Sequence, residues 1–138
     1  YPGGSSTPIL TAEEARSSTI DFESAMDLGT FLGSGGTIVL DAGDDLALAT
    51  LNVARFYENE SCGQCTPCRE GCRWMAQILQ RIADGTADTG ELDLLLDVAG
   101  NIEGNTVCAF GDGAVAPIAS AVRKFRNEFE VRIAGAAR

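Results

Sequence analysis

Four of the five cysteines of this 138-residue chain fall within eleven residues, in Glu60-Ser61-Cys62-Gly63-Gln64-Cys65-Thr66-Pro67-Cys68-Arg69-Glu70-Gly71-Cys72. Thiolates spaced C-x2-C-x2-C suit an iron-sulfur cubane, because each two-residue spacer lets the backbone curl around a compact anionic core and deliver three corners from one turn. Two residues compete for the fourth corner. Cys72 completes a local C-x2-C-x2-C-x3-C run, but Arg73 stands where ferredoxins carry a proline, and five cysteines cannot supply the eight thiolates of two clusters. Cys108 lies 40 residues past Cys68, in Asn105-Thr106-Val107-Cys108-Ala109-Phe110-Gly111-Asp112, flanked by glycines that let backbone approach a cofactor closely. Spacing favours Cys62, Cys65, Cys68 and Cys108 as ligands, with Cys72 left as an alternative.

Other chemistries fit these thiols less well. A structural zinc site also takes four thiolates, but it usually pairs two C-x2-C knuckles, whereas here three consecutive thiols face one remote one. The alternative function attached to it is a non-redox interaction domain that uses its acidic surface to bind a partner. A thioredoxin-like dithiol lacks its surrounding strand-helix-strand unit. The chain contains no histidine, which removes Ser-His-Asp triads, Cys-His pairs, Rieske ligation and mixed Cys-His zinc sites. Twenty acidic residues against ten basic ones give a net charge of -10, so a phosphate backbone would be repelled and no nucleic-acid partner is expected. A composition 45% hydrophobic and 22% charged is that of a globular protein. No apolar run reaches membrane-spanning length and no signal-peptide pattern is visible; with the odd cysteine count, these point to a soluble protein of a reducing, cytoplasmic compartment.

The thiols must be positioned by helices. Asp44 or Asp45 caps a helix in which Leu48, Leu51, Ala54 and Phe56 recur at helical spacing, and this helix delivers the chain to the cysteine loop. A second helix is predicted over Arg69 to Ala83, burying Trp74, Ile78 and Ile82 with Met75 and Leu79 beside them. The polar turn of residues 84 to 90 leads to a third helix, Glu91 to Val98, so that a helical hairpin returns Cys108 to the loop. A fourth helix from about Gly113 runs through Phe125, with Pro117 tolerated in its first turn. A frayed tail is expected from Val131. Upstream, Asp21 caps a short helix that Gly29 stops, the stretches Gly3-Gly4 and Gly33-Ser34-Gly35-Gly36 read as turns, and Thr37 to Leu40 reads as a buried strand. The expected architecture is therefore mainly α: a mixed segment over residues 1 to 43, a four-helix bundle over 44 to 130, and a tail over 131 to 138.

The motif Glu60-Ser61-Cys62-Gly63-Gln64-Cys65-Thr66-Pro67-Cys68-Arg69-Glu70-Gly71, with Trp74 and the later Cys108-Ala109-Phe110-Gly111-Asp112, resembles the NADH-oxidising flavoprotein subunit of respiratory complex I and its relatives in NAD-linked hydrogenases and formate dehydrogenases. The resemblance implies that Cys62, Cys65, Cys68 and Cys108 ligate one 4Fe-4S cluster, which takes electrons from FMN reduced by NADH. Cys72 departs from the non-thiol residue usual in that family. The same resemblance implies a partial ubiquitin-like α+β segment before the bundle and an upstream domain of the same subunit that binds FMN and NAD(H). It implies as partners a thioredoxin-like 2Fe-2S subunit and a ferredoxin-like iron-sulfur subunit, and as location the peripheral arm of a membrane complex. The glycine-rich fingerprint of a dinucleotide-binding unit is missing from these residues, so this segment alone is not expected to oxidise NADH.

Overall fold

The structure, a computed structural model, describes residues 1–136, and among them every regular element is helical. Two short helices come first. Helix α1 (Ala12–Ser17) opens with a capping box: the Thr11 hydroxyl accepts the Glu14 N–H while the Glu14 carboxylate accepts the Thr11 N–H. Helix α2 (Phe22–Asp27) is capped by Asp21 and ended by Gly29 at φ 69, the left-handed conformation that glycine adopts without penalty.

The strand expected over Thr37–Leu40 does not form. Ile38 exchanges two hydrogen bonds with Tyr1, each 3.0 Å, but this single reciprocal pair is not extended into a ladder. Val39, 83% exposed, has no second layer to pack against. A β-branched run becomes a strand only where a neighbour supplies a ladder and a face to bury. The glycines read as turns also make a close crossing: a Cβ on Gly33 would stand 2.5 Å from the Gly3 carbonyl oxygen.

The rest is a bundle. Helix α3 (Leu46–Glu60) is capped by Asp45 and buries Leu46, Ala47, Thr50, Leu51, Ala54 and Tyr57 along one face. Helix α4 (Thr66–Ala83) carries the most regular stripe, with Cys68, Cys72, Met75, Leu79 and Ile82 all buried. Trp74, expected on the buried face, is 52% exposed, because it lines an open groove with Gln77, Leu94 and Val98. Helix α5 (Gly90–Ile102) buries Leu92, Leu95, Val98 and Ile102. Helix α6 (Phe110–Lys124) begins three residues earlier than expected, which places Pro117 in its interior. The missing N–H costs about 3 kcal/mol in an isolated helix, but α6 packs against α3, α4, α5 and α7, and that burial offsets the loss.

Helices α3, α4, α5 and α6 close a ring, each packed on the next. A further helix, α7 (Arg126–Ala136), lies against α3, α4 and α6 where a frayed tail was expected. Fully buried Phe129, together with Ile133 one turn on, anchors it in the core, and Arg132 binds the Ala83 carbonyl and Asp45. Ala137 and Arg138, the end of the expected tail, lie outside the described residues. The segment before α3 docks on the bundle through the Ile9 N–H to Ser120 Oγ bond of 2.9 Å, the Lys124 to Glu14 ion pair, and the Tyr57 hydroxyl, which donates to the Ser5 carbonyl.

Candidate metal centre

The end of α3, the start of α4 and the start of α6 meet at one end of the bundle. The five residues between α3 and α4 form a loop whose turn is made by Gly63 at φ 77, between the first two thiols. Arg69 ties this loop to α4: its Nη1 donates to the Gly63 carbonyl at 2.8 Å and its Nε pairs with Glu70. The side chain of Arg73, the next arginine along α4, makes no hydrogen bond or ion pair among the described residues.

The distant cysteine is returned by the hairpin of α4 and α5, whose turn is tied by Arg81 to Glu91. Between α5 and α6 the chain is held by the Gly104 N–H to Asp112 bond of 2.8 Å and by the Thr106 hydroxyl, which donates to the Cys108 carbonyl at 2.8 Å. Gly111 is required here, since a Cβ would lie 2.5 Å from Thr106 Oγ1. The Val107 N–H then reaches Cys65 Sγ at 3.5 Å, joining the two thiol-bearing segments.

The result is a cavity of about 160 Å³ lined by Cys62, Cys65, Cys68 and Cys108 with Glu60, Ser61, Gln64, Thr106 and Phe110. Cys62 and Cys108 are exposed, Cys65 is half-buried and Cys68 is buried. Cys72 lies outside the cavity, its sulfur 3.9 Å behind that of Cys68. Burial, followed by the adjacent Cys68, pushes the Cys72 thiol up to about 12. It is a neutral thiol.

Size and charge indicate what these residues suit. Four thiolates on one zinc ion converge at about 2.3 Å from a single point, yet among the described residues no three metal-binding side chains approach closely enough for that. They surround a space several times the ~30 Å³ share of one water molecule, a cradle for a polynuclear group. The group must be anionic with its thiolates, and two helices present their N-termini to it. Cys65 is the N-cap of α4 and Ala109 that of α6, and neither end is closed by a side-chain cap, so free backbone N–H groups and the positive end of each helix dipole face the sulfurs. Phe110 forms an apolar wall, backed edge-on by Tyr57 with ring centroids 5.3 Å apart. Phe110, and neither Tyr57 nor Phe56 from the end of α3, lines the cavity, and Phe56 stays half-exposed. Ser61, Thr106 and Phe110 are site residues that sequence reasoning did not single out, although all three lie within the quoted motifs.

The chain is similar to known proteins. The chain is 47% identical over 132 residues to the F subunit of the Rickettsia bellii NADH-quinone oxidoreductase, covering 96% of this chain and 32% of that protein. It is 42% identical to an F subunit of the Rhizobium meliloti NADH-quinone oxidoreductase, covering 96% of this chain and 30% of that protein. The chain thus spans about a third of the length of the curated relatives it matches. Among solved structures, an NAD+-reducing NiFe hydrogenase in its air-oxidised state superposes with a TM-score of 0.85 at 29% identity, over 96% of this chain and 23% of that one. Residues 48–132, from α3 into α7, match the family of the NADH-ubiquinone oxidoreductase-F iron-sulfur binding region, and with both thiol segments inside that match the chain belongs to this family.

Proposed function

We propose that this chain is the electron-transfer portion of an NADH-oxidising flavoprotein subunit, in which Cys62, Cys65, Cys68 and Cys108 hold one 4Fe-4S cluster. The observation that carries this is the convergence of those four thiols on one cavity at two helix N-termini. Such a cluster, when bound, supplies one-electron exchange at a potential set by its surroundings. The donor in this reading is FMN, reduced by NADH on an upstream domain of the same subunit. The acceptors are iron-sulfur clusters of a thioredoxin-like and a ferredoxin-like partner subunit in a peripheral arm facing the cytoplasm or matrix. Among the described residues no helix is long and apolar enough to cross a membrane. Residues 1–43 are the end of a ubiquitin-like unit that joins the flavin domain to the bundle.

The chain's residues make and break no bond in this role. Cys62 and Cys65 come from the loop and Cys68 from the first turn of α4, while Cys108 closes the site from the segment just before α6. Helix N-termini and the Val107 N–H offset the negative charge, and Phe110 keeps water from one wall. The test is low-temperature electron paramagnetic resonance on anaerobically isolated protein with its native subunits, before and after dithionite. A fast-relaxing signal that appears on reduction, is lost in Cys108→Ser and is kept in Cys72→Ser is the expected result. Stoichiometric zinc and no reduced-state signal assignable to this chain would replace it with the structural-metal domain.

A further inference from the structure

The four ligand thiols differ in what touches them. Cys62 and Cys108 are exposed and their sulfurs receive no hydrogen bond among the described residues, and the Cys65 sulfur receives a backbone N–H. Cys68, the buried one, has two side-chain partners. Ser61 Oγ lies 3.3 Å from its sulfur on the loop side, and Cys72 Sγ lies 3.9 Å away one helical turn further along α4. We infer that Ser61 and Cys72 are a pair of hydrogen-bond donors to Cys68 Sγ and set the reduction potential of the bound cluster, an assignment that rests on the ligand set proposed above.

The direction of each bond follows from its surroundings. Ser61 ends α3, where its N–H is already committed to the Tyr57 carbonyl at 3.1 Å, and its side chain turns into the loop. There its oxygen accepts the Gly63 N–H at 3.4 Å, so its own proton is directed away from the loop amide. A metal-bound thiolate carries no proton, so the proton between Oγ and Sγ belongs to the serine. Cys72 has zero exposure and sits in the core behind the cavity wall, with Cys68 as its hydrogen-bond partner among the described residues. A buried thiol with no cation beside it keeps its proton and can place it on that sulfur.

Both bonds act in the same sense. Reduction adds negative charge that spreads onto the ligand sulfurs, and a donor on such a sulfur stabilises the reduced form more than the oxidised one, raising the potential. Burial of Cys68 strengthens the effect, because no water competes for its lone pairs. The fifth cysteine thereby acquires a use: it is a positioning residue that acts on the cluster through Cys68 and is held out of the ligand shell by the helical stripe that buries it.

The experiment is a redox titration followed by electron paramagnetic resonance on the anaerobically isolated, assembled protein, comparing wild type with Ser61→Ala, Cys72→Ala and Cys72→Ser. Ser61→Ala and Cys72→Ala should each move the midpoint to more negative potential at unchanged iron and sulfide content. Cys72→Ser, which keeps a donor, should restore the midpoint lost in Cys72→Ala. An intact signal with an unmoved midpoint in either alanine variant would overturn the pair, as would a serine that shifts as far as alanine. Should alanine at 61 empty the site, the two Cys72 variants still decide, since that residue lies outside the cavity wall. If the ligand assignment itself is wrong, either wild-type protein gives no reduced-state signal or the signal is lost in Cys72→Ala and survives in Cys108→Ser, outcomes distinct from a signal that the variants leave unmoved.

Discussion

Gly63 shows how much of the site depends on one backbone position. It stands between Cys62 and Cys65 at φ 77, and the nearest atom to an added Cβ would be Arg69 Cδ at 3.7 Å. Space is therefore available and conformation is the constraint. A Cβ in the left-handed region costs about 1–2 kcal/mol, and here that strain falls on the turn that aims two thiols. Gly63→Ala should speed iron release to a chelator by roughly one order of magnitude, the rate equivalent of about 1.4 kcal/mol if the strain is relieved on release. Gly35→Ala is the control, since Gly35 has φ 76 and open space but lies far from the thiols in sequence and in none of the cavity walls. It should cost similar stability and leave iron release unchanged; equal acceleration in both variants would contradict the local account. The three clustered thiols were legible in the sequence because their relation is local. Ser61 and Phe110 were not, because what makes them site residues is a contact across the cavity, and no spacing rule encodes it.

Helix α4 carries the site and packs it, and Gly71 is where both duties meet. It follows Cys68 by three residues, and a Cβ there would stand 2.5 Å from Ile102 Cδ1 and 2.6 Å from its Cγ1. The α4–α5 contact is thus as close as glycine allows. Gly71→Ala should destabilise the fold by about 1–3 kcal/mol, the usual range for overpacking, despite alanine's better helix propensity. Shortening the obstacle with Ile102→Val in the same chain should recover part of that loss, a coupling measurable by denaturant unfolding of the four members of the cycle. Additive losses would mean that the two side chains do not compete for the same space. Helices α3 to α6 were legible because their apolar residues recur every three or four positions. Helix α7 was not: Phe129, Val131 and Ile133 alternate with polar residues, a strand-like pattern, and only packing on three helices selects the helix. The same tertiary override kept Pro117 inside α6, and the lack of any backbone partner beyond Tyr1 among the described residues left Thr37–Leu40 outside a sheet.

At the scale of the whole molecule, the first 45 residues are held to the bundle by the burial of Tyr1 and Ile9 in its core and by a few polar contacts of very long sequence separation. Ser120 Oγ accepts the buried Ile9 N–H, and Ser120→Ala leaves that amide without a partner, so it should cost about 1–3 kcal/mol and accelerate hydrogen exchange at Ile9. The second contact is charged and therefore pH-dependent. Lys124 Nζ donates to both carboxylate oxygens of Glu14, at 2.9 and 2.7 Å, and the Thr11 N–H adds a bond of 2.7 Å. These partners, the Lys124 hydrogen bond first, hold the Glu14 carboxyl below its ordinary value. A carboxyl depressed in the folded state adds stability that is fully present above its unfolded pKa and is lost as pH falls through the folded one. Both side chains keep about a quarter to a third of their surface in water, 30% for Glu14 and 25% for Lys124, so screening limits the pair to about 1 kcal/mol or less. Glutamine at 14 preserves the capping geometry of α1 and removes only the charge. The stability difference between wild type and Glu14→Gln should therefore be largest near neutral pH, shrink toward zero as pH falls below the ordinary glutamate range, and shrink also at high salt. Unfolding curves across that pH range measure it directly. A difference that persisted unchanged in acid would place the effect in packing at α1, and the first segment would then be held by its buried amide and apolar contacts alone.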